Sequence, residues 1–223
     1  MNFENKIDIG IGIYTVSEIS RILRLPYYKV SRWIDKYWDG ELGHEYESKY
    51  SWKIDNSKAV SFHTLVEFYV MINLSEAGVK TREVLNAHKE LSRIYKTAFP
   101  FAYKEVANGI KTDGKKIYLK AKDSIITLDG SKQLNLAFMR IFFKKLEFDV
   151  ENLATRFWPL GKEKSIVIDP QYKFGHPTIT GSNIYPETIY NLYLAKESID
   201  FISYLYELDS DQVRDAIEYC KAA

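Results

Sequence analysis

The chain contains 223 residues, of which 46% are apolar and 27% are charged, a composition that is ordinary for a globular protein. Its 31 basic and 30 acidic side chains leave a formal net charge of +1, which excludes nucleic-acid binding driven by the charge of the whole chain. A single cysteine excludes an intramolecular disulfide framework and a multi-cysteine zinc site.

Charged and apolar residues are distributed unevenly along the chain. Residues 1–100, 101–150 and 151–223 carry net charges of +1, +4 and −4, which indicates regions with different binding partners. The longest uninterrupted apolar run, residues 68–72, is much shorter than the ~18 residues of a membrane span. Residues 1–10 lack the apolar core of a signal peptide, so we predict a cytoplasmic protein without membrane contact.

Two short helices joined by a tight turn are predicted near the start of the chain. Thr15 and Glu18 have the spacing of a capping box, with Thr15 as the N-cap of the first helix. Pro26 interrupts the helical pattern, and a second helix is predicted over residues 27–38 because apolar side chains recur there at helical spacing. Gly40 and Gly43 are expected to end this second helix.

A wing and two longer helices are predicted next. Residues 50–54 are expected to contribute to a hairpin or wing. Ser61 is expected to cap a helix that Gly78 ends, and Thr81 to cap the helix that follows. The predicted core face of the first of these helices comprises Phe62, Leu65, Val66, Tyr69 and Ile72.

The middle of the chain changes to the alternating pattern of strands. Asp113 and Gly114 form a hairpin turn signal, and short strands are predicted over residues 116–121 and 124–128. A helix is predicted over residues 136–146. The aromatic residues that follow, within 157–161, are interpreted as a linker whose side chains anchor it.

The end of the chain is predicted to be helical. A strand over residues 165–168 and a turn-rich segment over 169–177 precede three short helices. The first helix covers 186–195, the second begins at Ser198, and Asp209 caps the third. The predicted fold class is mainly α with a small β-hairpin insert (α+β), with an N-terminal winged helix-turn-helix and a C-terminal three-helix module.

Two short helices followed by a wing describe a winged helix-turn-helix, whose second helix enters the major groove of DNA. Residues 14–38 carry a local net charge of +3, and the outward face of the second helix is cationic. Arg32 lies in the middle of this face and suits a guanine edge, whereas Lys29 and Lys36 suit phosphates. A solvated basic face on a small helical bundle is the alternative, and Trp33 is predicted to pack in the core. The predicted DNA-contacting residues are Thr15, Ser17, Tyr28, Lys29, Arg32 and Lys36.

The N-terminal region resembles a known family. Residues 14–23 and 30–34 are similar to the opening of MerR-type winged helix-turn-helix domains, and residues 60–72 and 75–84 are similar to the next helix pair of that family. The resemblance covers about residues 13–96 and implies operator binding. The chain lacks the long dimerisation helix and the effector-binding cysteines or aromatic pocket of classical members, so metal or drug sensing is not implied.

The C-terminal region resembles a second family. Residues 166–170 and 174–184, with the helices that follow, resemble a small bacterial domain of formally unknown function that occurs in antitoxins of the VapBC type. The resemblance spans about residues 165–221 and implies a PIN-like ribonuclease toxin as the partner, whose acidic metal site the antitoxin silences. Ser182 and Asn183 replace the usual Thr-Arg pair, which weakens any role carried by that arginine.

The residues of the C-terminal region also favour a protein partner. The charge of −4 argues against a second DNA-binding fold, because phosphate contact favours cationic surfaces. Aromatic side chains contribute strongly to protein interfaces, although burial in the core is an equal alternative for each of them. The predicted partner-contacting residues are Phe157, Trp158, Tyr172, Phe174, Tyr185, Tyr190 and Tyr193.

No catalytic residues, metal ligands or cofactors are predicted. The four histidines lack metal-ligand spacing, and the chain contains no Gly-rich phosphate loop or nucleophile elbow. Asp169 and Asp209 are interpreted as turn and cap residues.

These observations predict an antitoxin that binds operator DNA as a homodimer and neutralises a ribonuclease. Its parts are a MerR-like DNA-binding domain over residues 1–100, a connecting region over 101–160 and an antitoxin-type helical domain over 161–223. A chain truncated after Leu146 is expected to retain DNA binding. The alternatives are a stand-alone transcription regulator, whose C-terminal module dimerises or senses a ligand, and a protein–protein adaptor that never contacts DNA.

Overall fold

The computed structural model describes residues 10–112, 116–121, 124–129 and 144–222. Helices predominate among them, and four small antiparallel sheets accompany the helices, so the fold is mainly α with an α+β arrangement, as predicted. No helix within these ranges is both long and apolar enough to cross a membrane.

The first helix begins where the capping box predicts. The Thr15 hydroxyl accepts a hydrogen bond from the Glu18 N–H (3.3 Å), and the Glu18 carboxylate accepts one from the Thr15 N–H (2.7 Å). These bonds satisfy free donors at the start of α1 (Val16–Leu23). Arg24, with a φ of +55°, ends α1 in the left-handed conformation, and α2 (Tyr27–Trp33) follows Pro26.

The second helix is longer than the sequence predicts. It continues from α2 into a π-helical segment, Ile34–Leu42, whose C-cap is Gly43, so the prediction that Gly43 ends the helix is confirmed and the prediction that Gly40 does so is wrong. The reason is burial: Ile34, Trp38 and Leu42, spaced four residues apart, all face the core and hold the segment in place. Gly40 therefore lies inside a helix, against the general preference for glycine at helix ends.

A three-stranded sheet follows the second helix. After a 3₁₀ turn at Gly43–Tyr46, β2 (Ser51–Ile54) and β3 (Ser57–Val60) form the predicted hairpin, and β1 (Tyr14–Thr15) pairs with the other edge of β3. The strand order is β1-β3-β2, with both pairs antiparallel. Helix, turn, helix and hairpin in this order, with a short strand closing the sheet, form the topology of a winged helix-turn-helix.

The third helix, α3 (Phe62–Glu76), lies at the centre of the core. Ser61 caps it as predicted, since its hydroxyl accepts a hydrogen bond from the Thr64 N–H, and Gly78, with a φ of +86°, follows its end. The buried side chains of α3 extend well beyond the predicted core face. The additional buried side chains are Thr64, Glu67, Phe68, Val70, Met71, Asn73 and Leu74.

The fourth helix, α4 (Thr81–Tyr95), starts one residue earlier than predicted. Lys80 occupies the N-cap position, and its carbonyl oxygen accepts hydrogen bonds from Glu83 and Val84. Thr81 is already inside the helix, so its assignment as the cap is wrong. The N-cap provides no side-chain hydrogen bond here.

The middle region contains the predicted strands and one further strand. Its elements are a 3₁₀ turn at Pro100–Ala102, α5 (Lys104–Gly109) and a sheet of β4 (Ile110–Thr112), β5 (Lys116–Ala121) and β6 (Ser124–Asp129). The predicted turn residues 113–114 lie outside the described residues, as does most of the predicted helix over 136–146. Leu146 is described, and it begins a strand rather than ending a helix.

The predicted linker at residues 157–161 is wrong in its first part. β7 (Leu146–Phe148) pairs with β8 (Ala154–Phe157), so Phe157 ends a strand. Phe157 is only 3% exposed, and its ring lies 4.6 Å from that of Tyr69 on α3. An aromatic side chain held in this way belongs to the core, because burial of such a ring contributes about 1.5–3 kcal/mol.

The last region contains the predicted strand and three helices. β9 (Ile166–Val167) pairs with β10 (Thr178–Ile179), and a 3₁₀ turn at Lys173–Gly175 lies between them. The helices are α6 (Pro186–Leu194), α7 (Ile199–Tyr206) and α8 (Ser210–Ala222). Ser198 caps α7 as predicted, since its hydroxyl accepts a hydrogen bond from the Phe201 N–H (3.1 Å).

The buried apolar side chains form two clusters whose limits differ from the predicted domain limits. The first cluster extends from Tyr14 to Ile168 and includes Ala154 and Phe157. The second lies within residues 166–219. The predicted regions 1–100 and 101–160 therefore share one core, and the last three helices have their own.

Cys220, on α8, provides a test of the second cluster. Burial raises the pKa of its thiol to about 12, the Glu187 carboxylate adds to this rise, and Arg21 opposes it. Because the thiolate is the reactive form, the folded chain should react with a maleimide at pH 8 on the order of a hundredfold more slowly than the urea-unfolded chain. Mass spectrometry over time measures both rates. Equal rates would contradict the burial of this thiol.

Candidate functional site

The second helix presents the cationic face that its sequence predicts. Val30 and Ile34 are completely buried, whereas Tyr28, Arg32 and Lys36 are exposed. Within the described part of the chain, neither the Arg32 guanidinium nor the Lys36 ammonium forms an ion pair. Both charges therefore remain free for an external anion.

Two lysines of this face lie over aromatic rings. The Lys29 ammonium lies 5.1 Å from the ring centre of Trp33, and the Lys36 ammonium lies 5.6 Å from that of Tyr37. Lys29 is half-buried, and Trp33 is buried in the core as predicted. Such contacts orient the lysine stems while the charges stay on the surface.

An acidic residue on the same face, Asp35, forms an ion pair with the wing. The Lys58 ammonium, on β3, lies 2.6 Å from the Asp35 carboxylate and 2.8 Å from that of Asp39. Burial lowers the pKa of Lys58, but its hydrogen bonds with Asp35 and Asp39 outweigh this effect, and the pKa is raised overall. Lys58 is therefore charged at neutral pH, and its single charge is shared between the Asp35 and Asp39 carboxylates.

Asp39 fixes the wing against the second helix. Its carboxylate accepts hydrogen bonds from the backbone N–H groups of Tyr50 and Ser51, both at 3.0 Å, and from the Ser51 hydroxyl at 2.6 Å. The second helix and the hairpin beside it are thus joined by hydrogen bonds. Sequence reasoning missed this role, because an aspartate near the end of a helix has no distinctive local pattern.

Two residues at the start of α1, Thr15 and Ser17, are predicted to contact DNA, and their side chains differ in the structure. The Thr15 hydroxyl is engaged twice with Glu18, as acceptor in the capping box and as donor to the carboxylate (2.8 Å). Its assignment as a DNA contact is therefore corrected to a capping role. Ser17 is exposed.

The C-terminal region packs on the first helix. The Ile13 N–H donates to the Phe174 carbonyl (3.0 Å), and the His176 ring lies 3.3 Å from the Glu18 carboxylate. Gly175 has a φ of +88°, and a Cβ there would collide with the hydroxyl of buried Tyr14. Only glycine fits at that position.

A second ion pair links the two parts of the molecule. The Arg21 guanidinium on α1 lies 3.6 Å from the Glu187 carboxylate on α6. Arg21 is one of the charges that make residues 14–38 basic, so part of that charge faces this chain rather than a partner. The cationic face available to an external polyanion is centred on α2 and its continuation, not on α1.

The aromatic residues predicted to contact a partner fall into three groups. Phe157 and Trp158 are buried within the chain, so their assignment as partner contacts is corrected to packing. Tyr190 and Tyr193 are half-buried and stack on each other, with ring centres 6.3 Å apart. The remaining three are exposed, namely Tyr172, Phe174 and Tyr185.

Sequence reasoning missed an exposed apolar face on α7. Phe201, Tyr204 and Leu205 are 44%, 84% and 51% exposed, while Ile202 on the same helix is completely buried. Their spacing of three and four residues places them on one face of the helix. The sequence contains this spacing, but for an apolar helix the sequence does not distinguish the exposed face from the buried one.

A polar cleft of about 720 Å³ lies between the β7–β8 hairpin and residues 169–171. Arg156 lies in this cleft, with its guanidinium 2.7 Å from Asp169 and 3.4 Å from Glu147, so its charge is already matched. Among the described residues, no group of three or more His, Cys, Asp or Glu side chains is placed to hold a metal ion.

The fold and the surfaces together define a protein with winged helix-turn-helix topology joined to a small helical module. Residues 166–220, which include that module, match the family described as Protein of unknown function (DUF433). The whole fold is similar to the X-ray crystal structure of Rv2018 from Mycobacterium tuberculosis, with a TM-score of 0.68 and 17% sequence identity, over 95% of this chain and 99% of that chain. No curated protein matches the sequence.

Proposed function

We propose that this chain is the antitoxin of a type II toxin-antitoxin system, which binds operator DNA and neutralises a PIN-like ribonuclease toxin in the cytoplasm. The observation that carries the DNA-binding half is the exposed cationic face of the second helix, where Arg32 and Lys36 have no ion-pair partner among the described residues. A cationic helix that follows a tight turn and precedes a wing suits the major groove.

The contacts of the second helix support specific roles. Arg32, with its planar fork of donors, suits a guanine edge, whereas Lys29 and Lys36 suit phosphates on either side. Tyr28 lies on the same exposed face. The ion pairs of Lys58 hold the wing beside this face, and a homodimer would place two such helices on a palindromic operator.

The acidic C-terminal region supports the second half of the proposal. Residues 151–223 carry a net charge of −4, which disfavours phosphate contact, and Tyr172, Phe174 and Tyr185 are exposed on it. Exposed aromatic side chains of this kind are typical of protein interfaces. The identity of the partner as a ribonuclease toxin rests on the resemblance of residues 165–221 to the domain found in antitoxins.

The decisive experiment combines this chain with the protein that the neighbouring gene encodes. The two proteins should co-purify, and the RNA cleavage of the neighbouring product should disappear when this chain is added in equal amount. A matched sample with heat-unfolded chain controls for nonspecific inhibition. Undiminished RNA cleavage in the presence of the folded chain would contradict the antitoxin function.

Arg32→Ala should weaken operator binding by about 1–3 kcal/mol, since the variant loses a bidentate contact to a base. Stability should not change, because the side chain is exposed. Fluorescence anisotropy with a labelled operator measures the affinity. Arg82→Ala, which removes the same charge from an exposed position on α4, is the matched control and should bind like the unaltered chain. An unchanged affinity for Arg32→Ala would reject its role as a base reader.

One observation favours a second function, a stand-alone transcription regulator. The contacts of Glu18 with His176 and of Arg21 with Glu187 connect the C-terminal module to the first helix, as a sensing module would require. This function predicts operator binding without any effect on a ribonuclease. The co-purification and RNA-cleavage experiment therefore separates the two functions.

A further inference from the structure

The outward face of α7 is apolar and lies on the side of the helix that turns away from the core. Ile202 faces the second cluster and is completely buried, whereas Phe201, Tyr204 and Leu205 face outward. Tyr204 is among the most exposed large hydrophobic side chains described. A shallow groove at the end of the helix, bounded by Tyr204, Leu205 and Leu208, continues this face. We call Phe201, Tyr204 and Leu205 the α7 face.

The segment that carries the α7 face is rich in carboxylates, and the nearest basic residues along the chain are Lys196 and Arg214. Residues 197–211 contain five carboxylates and no basic side chain. All five acidic residues are exposed, and four of them form no ion pair with any described residue. The four are Glu197, Asp200, Glu207 and Asp209. Their charge is therefore uncompensated within the described part of the chain.

An apolar strip bordered by uncompensated carboxylates has a complementary ligand of definite chemistry. The apolar strip favours large aliphatic or aromatic side chains, and the carboxylates favour lysine or arginine beside them. We infer that the α7 face binds a basic amphipathic helix of the partner protein, with apolar side chains on one side and cations flanking them. The identity of that partner as the toxin rests on the proposed function, whereas the chemistry of the surface does not.

A second copy of this chain fits the α7 face less well. Two α7 faces related by a two-fold axis would bring like-charged borders together, which is unfavourable. The cationic α2 face, with exposed Tyr27 and Tyr28, could meet α7 of another copy only in a head-to-tail contact. Such a contact does not close unless the copies form a ring, and it would cover the surface assigned to DNA.

The test uses the full chain and a synthetic probe. The probe is a fluorescein-labelled amphipathic helix of about 18 residues, with leucine and tryptophan on one side and lysine on the other. A second peptide replaces every lysine with glutamate, and a third scrambles the lysine peptide so that no apolar side remains. Anisotropy titrations at low and at raised salt measure the three affinities.

The lysine peptide should bind at least about tenfold more tightly than either of the other peptides, and raised salt should weaken its binding. Tyr204→Ser combined with Leu205→Ser should weaken it by about tenfold or more, and Asp200→Asn combined with Glu207→Gln should reduce its salt dependence. Val150→Ser, which removes an almost fully exposed apolar side chain elsewhere, is the matched control and should change nothing. All variants alter exposed positions, and their unfolding curves verify the fold.

Equal binding of the lysine and glutamate peptides, or unchanged binding by the Tyr204→Ser/Leu205→Ser variant, would overturn the inference. Sedimentation velocity supplies the other outcome: if the chain self-associates and the same variant abolishes the association, a second copy occupies the α7 face and the inference is wrong. Suppressed RNA cleavage together with failed peptide binding would reject this surface but leave the antitoxin function intact. Peptide binding without an effect on RNA cleavage would support this surface and contradict the antitoxin function.

Discussion

A chain truncated after Leu146 will be strongly destabilised, whereas a chain truncated after Gln171 will keep its helix-turn-helix folded. The first cluster includes Phe157 and Ile168, both buried, and truncation after Leu146 removes them. Full burial of such side chains contributes about 1.5–3 kcal/mol each, a large fraction of the ~5–15 kcal/mol by which domains are stable. The expectation that the shorter chain retains DNA binding is therefore replaced by the expectation that it unfolds.

The contacts of the removed segment explain the size of this effect. Phe157 packs on Tyr69 at 4.6 Å and exchanges two backbone hydrogen bonds with Ile168, at 2.8 and 3.0 Å. The His63 Nε2 lies 3.1 Å from the Ala154 carbonyl oxygen. Truncation after Gln171 spares all of these contacts, but it removes β10, which pairs with β9, and the contacts of Phe174, His176 and Glu187 with the start of the chain.

Urea denaturation followed by tryptophan fluorescence measures both truncated chains against the full chain. The longer truncated chain should retain a cooperative transition, and it should still bind the labelled operator if the proposed function is correct. Equal stability of the two truncated chains would show that the core does not depend on β8. Cooperative unfolding of the shorter chain at the urea midpoint of the full chain would be decisive against this expectation.

His88→Ala will destabilise the chain by about 2–5 kcal/mol, the cost of leaving a buried carboxylate short of polar contacts and of opening a cavity in the core. Glu67 on α3 and His88 on α4 are 0% and 1% exposed, and the His88 ring contacts the Glu67 carboxylate through Nε2. The other carboxylate oxygen accepts a hydrogen bond from the Phe101 N–H at 2.9 Å. Removal of the imidazole leaves a buried carboxylate with too few partners and opens a cavity beside Trp38.

A double variant separates charge from packing at this position. Glu67→Leu combined with His88→Leu removes both polar groups and restores the apolar volume, so most of the lost stability should return. Differential scanning calorimetry and urea titration measure the single and double variants under the same conditions. If the double variant is as unstable as His88→Ala, the loss arises from packing alone and the polar contact between Glu67 and His88 is not the cause.

Several elements could be predicted because their causes lie within a few residues of one another. The capping box of Thr15 and Glu18 and the caps at Ser61 and Ser198 depend on side chains that reach only the next turn. The outward position of Arg32 follows from helical periodicity alone. Such interactions are short-range, and the same residues produce them in most surroundings.

Other features could not be predicted because they depend on residues far apart in the chain. Gly40 stays in a helix because the core retains Trp38 and Leu42, and Phe157 is a core residue because Tyr69 lies opposite. Local preference is weaker than burial of this kind, so tertiary contacts override it.

The charged surfaces of the molecule show the same division between features set by nearby residues and features set by distant ones. The amino-acid order alone established the α+β class, the helix-turn-helix with its wing, the cationic second helix and the acidic C-terminal region. Folding established which charges are paired within the chain: Lys58 pairs with Asp35 and Asp39, and Arg21 pairs with Glu187, while Arg32 and the carboxylates around α7 stay exposed. The physical reason is that charge follows from composition, whereas the neighbours that neutralise a charge are selected by packing between distant segments.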